Sequence, residues 1–143
     1  MEAISTSTHP TEKMQKMITS FVKVFDLYKP HISVFYQESG YLKPLYASAI
    51  KEKREKYKML LFNLLEEGAA AGEFRPELDR TITGMSILGM VNWSYKWYKR
   101  EGEKSIEEIA EIYVDFILHG LLTTEAKQNP RYAGYFLNNK ALT

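Results

Sequence analysis

Two stretches in the second half of the chain, Leu78 to Tyr98 and Ser105 to Gly120, carry apolar side chains at three- and four-residue steps on more than one face. Ile82, Met85, Ile87, Leu88, Met90, Val91 and Trp93 leave the first almost no polar side. Ile109, Ile112, Tyr113, Phe116 and Ile117 make two faces of the second apolar. A helix that is apolar nearly all round must be covered on more than one side. No apolar run approaches the ~20 residues needed to span a bilayer, so the cover is expected to be protein. A chain of 143 residues buries enough surface for one domain without a metal or disulfide staple.

The remaining segments read as further helices around this pair. After His9-Pro10, Thr11 is the expected N-cap of a first helix, with Met14, Met17, Ile18, Phe21, Val24, Phe25 and Tyr28 on its apolar stripe. Pro30 disfavours helical geometry at Lys29, and a short second helix is expected over His31 to Glu38. The segment from Pro44 to Gly68 places Ala47, Ile50, Arg54, Tyr57, Leu61, Leu64 and Leu65 on one stripe. Asp79 supplies negative charge near the start of the next helix. Ser105-Ile106-Glu107-Glu108 is a capping box, in which Ser105 and Glu108 satisfy each other's amides. No stretch from 1 to 123 alternates with period two over five residues, so the fold class is all-α, about five to six helices. The tail from Thr124 to Thr143 is polar apart from Tyr132, Tyr135 and Phe136, and is expected to be weakly helical or loosely docked.

Several kinds of chemistry are unsupported by the residues present. There is no Cys, which excludes disulfide frameworks, thiolate metal sites and thiol nucleophiles. His9, His31 and His119 have no carboxylate or second His at metal-ligand spacing. Glycine-rich phosphate loops and nucleophile elbows are missing. Glu66-Glu67 and Glu107-Glu108 are helix neighbours that point in different directions. No catalytic residue, metal or cofactor is expected, and no enzyme. The 19 Lys and Arg against 18 Asp and Glu give a net charge of +1, which argues against a domain built to grip a phosphate backbone. The start of the chain lacks the basic and apolar regions of a secretory leader, so the expected compartment is the cytoplasm, with no membrane partner.

Two features leave alternatives open. The basic run 51–58 is either a solvated helix face or a contact for an anionic ligand group at a pocket mouth. Asn92-Trp93-Ser94-Tyr95-Lys96-Trp97-Tyr98 is either core or a pocket and interface. Asn92 gains nothing for a helix backbone, and Gly84 and Gly89 each cost roughly 1 kcal/mol relative to Ala.

Residues 11–122 resemble the C-terminal, ligand-binding and dimerisation domain of TetR/AcrR-family transcriptional regulators. The branch most resembled includes the acyl-CoA-responsive repressors of fatty-acid degradation. The resemblance rests first on Pro10-Thr11-Glu12-Lys13-Met14, Val34-Phe35-Tyr36-Gln37-Glu38, and Glu66-Glu67-Gly68 with Gly72-Glu73-Phe74. It continues through Ile87-Leu88-Gly89-Met90-Val91-Asn92-Trp93, Trp97-Tyr98, Ile106-Glu107-Glu108-Ile109-Ala110 and His119-Gly120-Leu121. That family places a DNA-reading helix-turn-helix ahead of this domain, and none is legible here.

The resemblance implies an effector domain that dimerises through a four-helix bundle made by its last two long helices. The implied interface residues are Ile87, Val91, Tyr113, Phe116, Ile117, Gly120 and Leu121, all but Gly120 expected to be largely exposed on a lone chain. It also implies an apolar pocket for a small-molecule effector between the first helix, the 44–67 helix and the 78–98 helix. Phe21, Phe25, Tyr57, Leu61, Met85, Leu88, Asn92 and Trp93 are the expected lining, with Arg54 or Lys58 at the mouth. Residues 1–10 would be the remnant of a connecting helix or a disordered start, 11–123 the domain and 124–143 a tail. DNA would be a partner only through a head absent from this chain. The alternative is a standalone dimeric helical protein that binds a small molecule or a partner and has no DNA-related role.

Overall fold

A computed structural model describes residues 9–23, 44–98 and 102–140. The expected helix over His31 to Glu38 and the pocket candidate Phe25 lie outside these residues, and so does the side chain of Arg54. The described elements are α1 (residues 10–23), α2 (Pro44–Ala70), α3 (Arg80–Trp97), α4 (Ile106–Leu121) and α5 (Thr124–Lys127). A 3-10 turn (Pro130–Tyr135) and α6 (Leu137–Lys140) follow. The fold is all-α. Its one extended pairing among the described residues is an isolated antiparallel bridge between Phe74 and Leu122.

Helix α1 starts differently from the expectation. Lys13 N–H donates to His9 C=O at 2.9 Å, so the helix already includes Thr11, which is not its N-cap. The Thr11 N–H instead donates to Glu73 Oε1 at 3.0 Å, and the Thr11 hydroxyl donates to the same oxygen at 2.6 Å. The first amides of a helix have no partner within it, and here a carboxylate 62 residues away supplies one. Its negative charge also suits the helix N-terminus. Sequence spacing cannot reveal a cap brought in by tertiary contact.

Local signals hold elsewhere. Asp79 caps α3 by accepting from Ile82 N–H at 2.8 Å. Ser105 and Glu108 form the capping box of α4, at 3.1 and 3.2 Å. The hydrogen bond from Ser105 N–H holds the Glu108 carboxyl below the usual carboxylate range, aided by the Ser105 side chain. After α2 the chain turns at Gly72, whose φ of 79° favours a residue without Cβ.

The core is assembled from one stripe of each long helix. Met14, Met17, Ile18 and Val22 come from α1, and Leu61, Leu64 and Leu65 from α2. Ile87 and Val91 come from α3, and Ile109, Val114, Ile117 and Leu118 from α4. The connection between α2 and α3 is tied to the end of α4 by Arg75 N–H donating to Leu121 C=O at 2.8 Å. Thr123 N–H donating to Glu73 C=O at 2.9 Å completes the tie. The segment after α4 is firmly attached, with Tyr132 and Phe136 buried. Asp115 Oδ1 accepts from Leu137 N–H at 2.9 Å, and the His119 ring lies 4.6 Å from that of Phe136.

Candidate functional site

Helices α1 and α2 bring two of the expected lining residues together. Phe21 and Tyr57 meet edge to face, with ring centroids 5.6 Å apart and planes at 82°. This is a favoured aromatic geometry. One turn further along α2, Leu61 is fully buried in the core, and Leu88 of α3 is half-buried against that core. Lys58 follows Tyr57 on α2, and its ammonium lies 5.7 Å from the centre of the Phe62 ring. Phe62 in turn occupies the notch left by Gly84, where a Cβ would lie 2.2 Å from the ring. That close approach accounts for one of the two mid-helix glycines.

The other lining candidates lie elsewhere on α3. Met85, Asn92 and Trp93 are exposed, because the buried stripe of this helix runs Gly84, Ile87, Val91 and Ser94. Side chains at 85, 92 and 93 project from the other half of the helix.

The expected interface residues also divide. Ile87, Val91, Ile117 and Leu121 are buried inside the single chain and correct the expectation that they would be exposed without a partner. They face the core because the helices are apolar on two sides, and these four lie on the side that meets α1 and α2. Tyr113 is half-buried, and Phe116 and Gly120 are exposed.

What α3 and α4 do expose is a second apolar face. Ile82, Met85, Trp93 and Trp97 form a stripe on α3, and Ile112 and Phe116 continue it on α4. Trp93 and Phe116 are 61% and 67% exposed. The two helices are joined beneath this face: Ser94 and Tyr113 share a hydrogen bond of 2.6 Å between their hydroxyls, and Trp97 packs edge-on against Tyr113 at 6.3 Å. Burial pushes the Tyr113 phenol above its ordinary value, an effect the Ser94 bond opposes. Gly89, in the middle of the stripe, has open space where a side chain would project. Ile82, Trp97 and Ile112 were not among the interface candidates. The available signal was their helical spacing: Ile82 lies three turns and Trp97 one turn from Trp93, and Ile112 one turn from Phe116.

A cleft of about 310 Å³ opens between the end of α2 and the start of α3, floored by Leu65, Ala69, Phe74 and Leu78. Its rim cations are already engaged, Arg80 by Glu66, and Arg75 by Glu77 and Gly120 C=O. Among the described residues no three His, Asp or Glu side chains are grouped to hold a metal ion. None of the described helices is long and apolar enough to cross a membrane.

Residues 7–121 match the family described as tetracyclin repressor-like, C-terminal domain. The chain belongs to this family. The tetracyclin repressor-like match spans all four long helices and stops at the last residue of α4. Among curated proteins the chain is 25% identical over 129 residues to the HTH-type transcriptional repressor KstR2 of Mycolicibacterium smegmatis, covering 90% of this chain and 63% of that protein. It is 20% identical to the KstR2 repressor of Mycobacterium tuberculosis, covering 84% of this chain and 60% of that protein. The chain therefore spans about three-fifths of the length of these relatives.

Among solved structures, the ketosteroid transcriptional regulator KstR2 of M. tuberculosis matches with a TM-score of 0.77 at 19% identity, over 85% of this chain and 63% of that one. A TetR/AcrR-family regulator from Thermobifida fusca matches with a TM-score of 0.71 at 25% identity, over 83% and 63%. AibR, solved in complex with isovaleryl coenzyme A and operator DNA, matches with a TM-score of 0.66 at 25% identity, over 80% and 62%.

Proposed function

We propose that this chain is the effector-binding and dimerisation domain of a TetR-family transcriptional regulator, and that its effector is a hydrophobic small molecule of the acyl-CoA class. It acts as a cytoplasmic regulator and not as an enzyme. The observation that carries the reading is the exposed apolar face of Ile82, Met85, Trp93, Trp97, Ile112 and Phe116 on two helices locked to one another. Soluble monomers rarely leave such a patch open. A second copy placing the same face against it makes an isologous interface of four helices.

The effector site is assigned to the neighbourhood of the Phe21–Tyr57 aromatic pair, with Leu61 in the core and Leu88 packed against that core. Lys58, next to Tyr57 in the chain and over the Phe62 ring, is assigned to an anionic group of the effector. The solved relative AibR was captured with isovaleryl coenzyme A and operator DNA, which supports a thioester of an apolar acid as the effector class. An effector shifts a regulator only by binding its two states with different affinity. Inverting a 99:1 population takes about 5.5 kcal/mol of difference. Burial of an acyl chain at ~0.8 kcal/mol per CH2 is of the size required.

Titration of the purified chain with isovaleryl-CoA and with palmitoyl-CoA, followed by calorimetry, tests the reading. Saturable binding of one of them, weakened at least about tenfold by Tyr57→Ala, is the expected result. Absence of heat with both thioesters removes the acyl-CoA class.

A further inference from the structure

The side chain and backbone of Glu73 join elements distant in sequence. Oε1 accepts from the N–H and hydroxyl of Thr11 in the first turn of α1, at 3.0 and 2.6 Å. Oε2 accepts from the Tyr132 hydroxyl at 2.9 Å. The Glu73 N–H donates to Gly68 C=O at the end of α2, at 3.0 Å, and its C=O accepts from Thr123 N–H just beyond α4, at 2.9 Å. Thr11 is completely buried and Tyr132 very nearly so. A carboxylate in such surroundings is stable only while its donors stay in place, and bonds to a charged acceptor are stronger than neutral ones.

The tail half of this arrangement is held to α4 by two further contacts, Leu137 N–H on Asp115 and Phe136 beside His119. Tyr132, Phe136 and Leu137 lie beyond the residues 7–121 that match the family.

We propose that Glu73 and Tyr132 form a clasp through which residues 123–136 fix the first turn of α1 to the end of α4, so that loosening either end loosens the other. Glu73 and Tyr132 are positioning residues that act through Thr11. The consequence for regulation rests on the reading given under Proposed function. Helix α4 carries part of the exposed apolar face, and Thr11 stands where the chain enters α1. The clasp is then the contact through which a change at that face reaches the residues ahead of α1.

Hydrogen exchange on the whole chain tests the clasp without a ligand. Tyr132→Phe removes one donor to Glu73 and should speed exchange of the amides of residues 11–14 roughly tenfold, leaving those of α3 unchanged. Thr11→Ala should speed exchange at residues 131–136 in return, because coupling between two sites is reciprocal. Thr11→Ser, which keeps the hydroxyl, should restore it. Exchange that rises only on the side of each substitution overturns the proposal. If both single variants loosen the entire chain, the double variant decides. A combined effect on urea stability equal to the sum of the two overturns the clasp, and one clearly smaller than the sum supports it. Loss of acyl-CoA binding or of self-association with these rates still coupled would count against the regulatory reading alone.

Discussion

The ring of Phe62 fills the space that a side chain at Gly84 would need, with its Cε1 2.2 Å from where a Cβ would be. Two helices thus approach at a position where only hydrogen fits, and Gly89, five residues on, has nothing within 4 Å. The same residue type in one helix serves a packed contact at one site and an open surface at the other.

Substitution separates the two. Gly84→Ala forces Phe62 to move, and overpacking of this kind costs about 1–3 kcal/mol, only partly offset by the better helix propensity of Ala. Phe62→Leu in the same chain should recover part of that loss. Gly89→Ala meets no obstruction within the chain and, in the Phe116→Glu background that removes self-association, should leave its stability unchanged or raise it by up to ~1 kcal/mol. Urea denaturation of the three variants measures both effects.

The exposed face of α3 and α4 predicts self-association. Sedimentation velocity at micromolar concentration should find a dimer, and Phe116→Glu or Trp93→Glu should yield a folded monomer, since both side chains are largely exposed on one chain. Ile117→Glu should instead unfold the protein, because Ile117 lies in the core. A wild-type monomer, or a dimer that survives Phe116→Glu, would show that this face is not the contact.

Alkaline pH should loosen the tail. Burial first, and then the hydrogen bond to the Glu73 carboxylate, push the Tyr132 phenol up to about 12 from an ordinary value of 10. The unfolded chain therefore gives up this proton first. The stability it contributes is complete below pH ~10 and is lost as pH rises through ~12. Tyr113 and Tyr135 are raised by burial and act in the same sense, so comparison with Tyr132→Phe isolates the one residue. The stability gap between wild type and Tyr132→Phe should be constant from pH 7 to about 9 and narrow above pH ~10. A gap that is constant to pH ~12 would mean that Tyr132 titrates alike in both states.

Duplex DNA should be bound weakly and without sequence preference by this chain. Its net charge is +1, and the basic run at 51–58 contains Glu52 and Glu55. A contact that neutralises few phosphates is lost with modest salt. Anisotropy titrations should therefore show no competitor-resistant binding at about 0.15 M salt. Tight binding to one duplex would reveal a reading surface among residues assigned here to pocket and interface.

The local devices of this fold were legible in the chain itself. The capping box at Ser105 and Glu108, the carboxylate of Asp79 at the start of α3 and the helical spacing of Leu61, Leu64 and Leu65 involve residues within a few positions of each other. Their physics is complete within one or two turns. Apolarity on all sides of α3 also established, from sequence alone, that this helix needs cover on more than one face. Which face meets the core was decided only by the tertiary structure. Ile87 and Val91 turn inward and Met85, Trp93 and Trp97 outward, and a stripe without a polar side carries no mark that distinguishes them. The cap of α1 was hidden for a different reason. Thr11 looked like its own N-cap, yet the group that satisfies its amide is a carboxylate 62 residues along the chain. Only the folded arrangement of α1, the α2–α3 turn and the tail brings Glu73 there, because hydrogen-bond partners are chosen by distance in space.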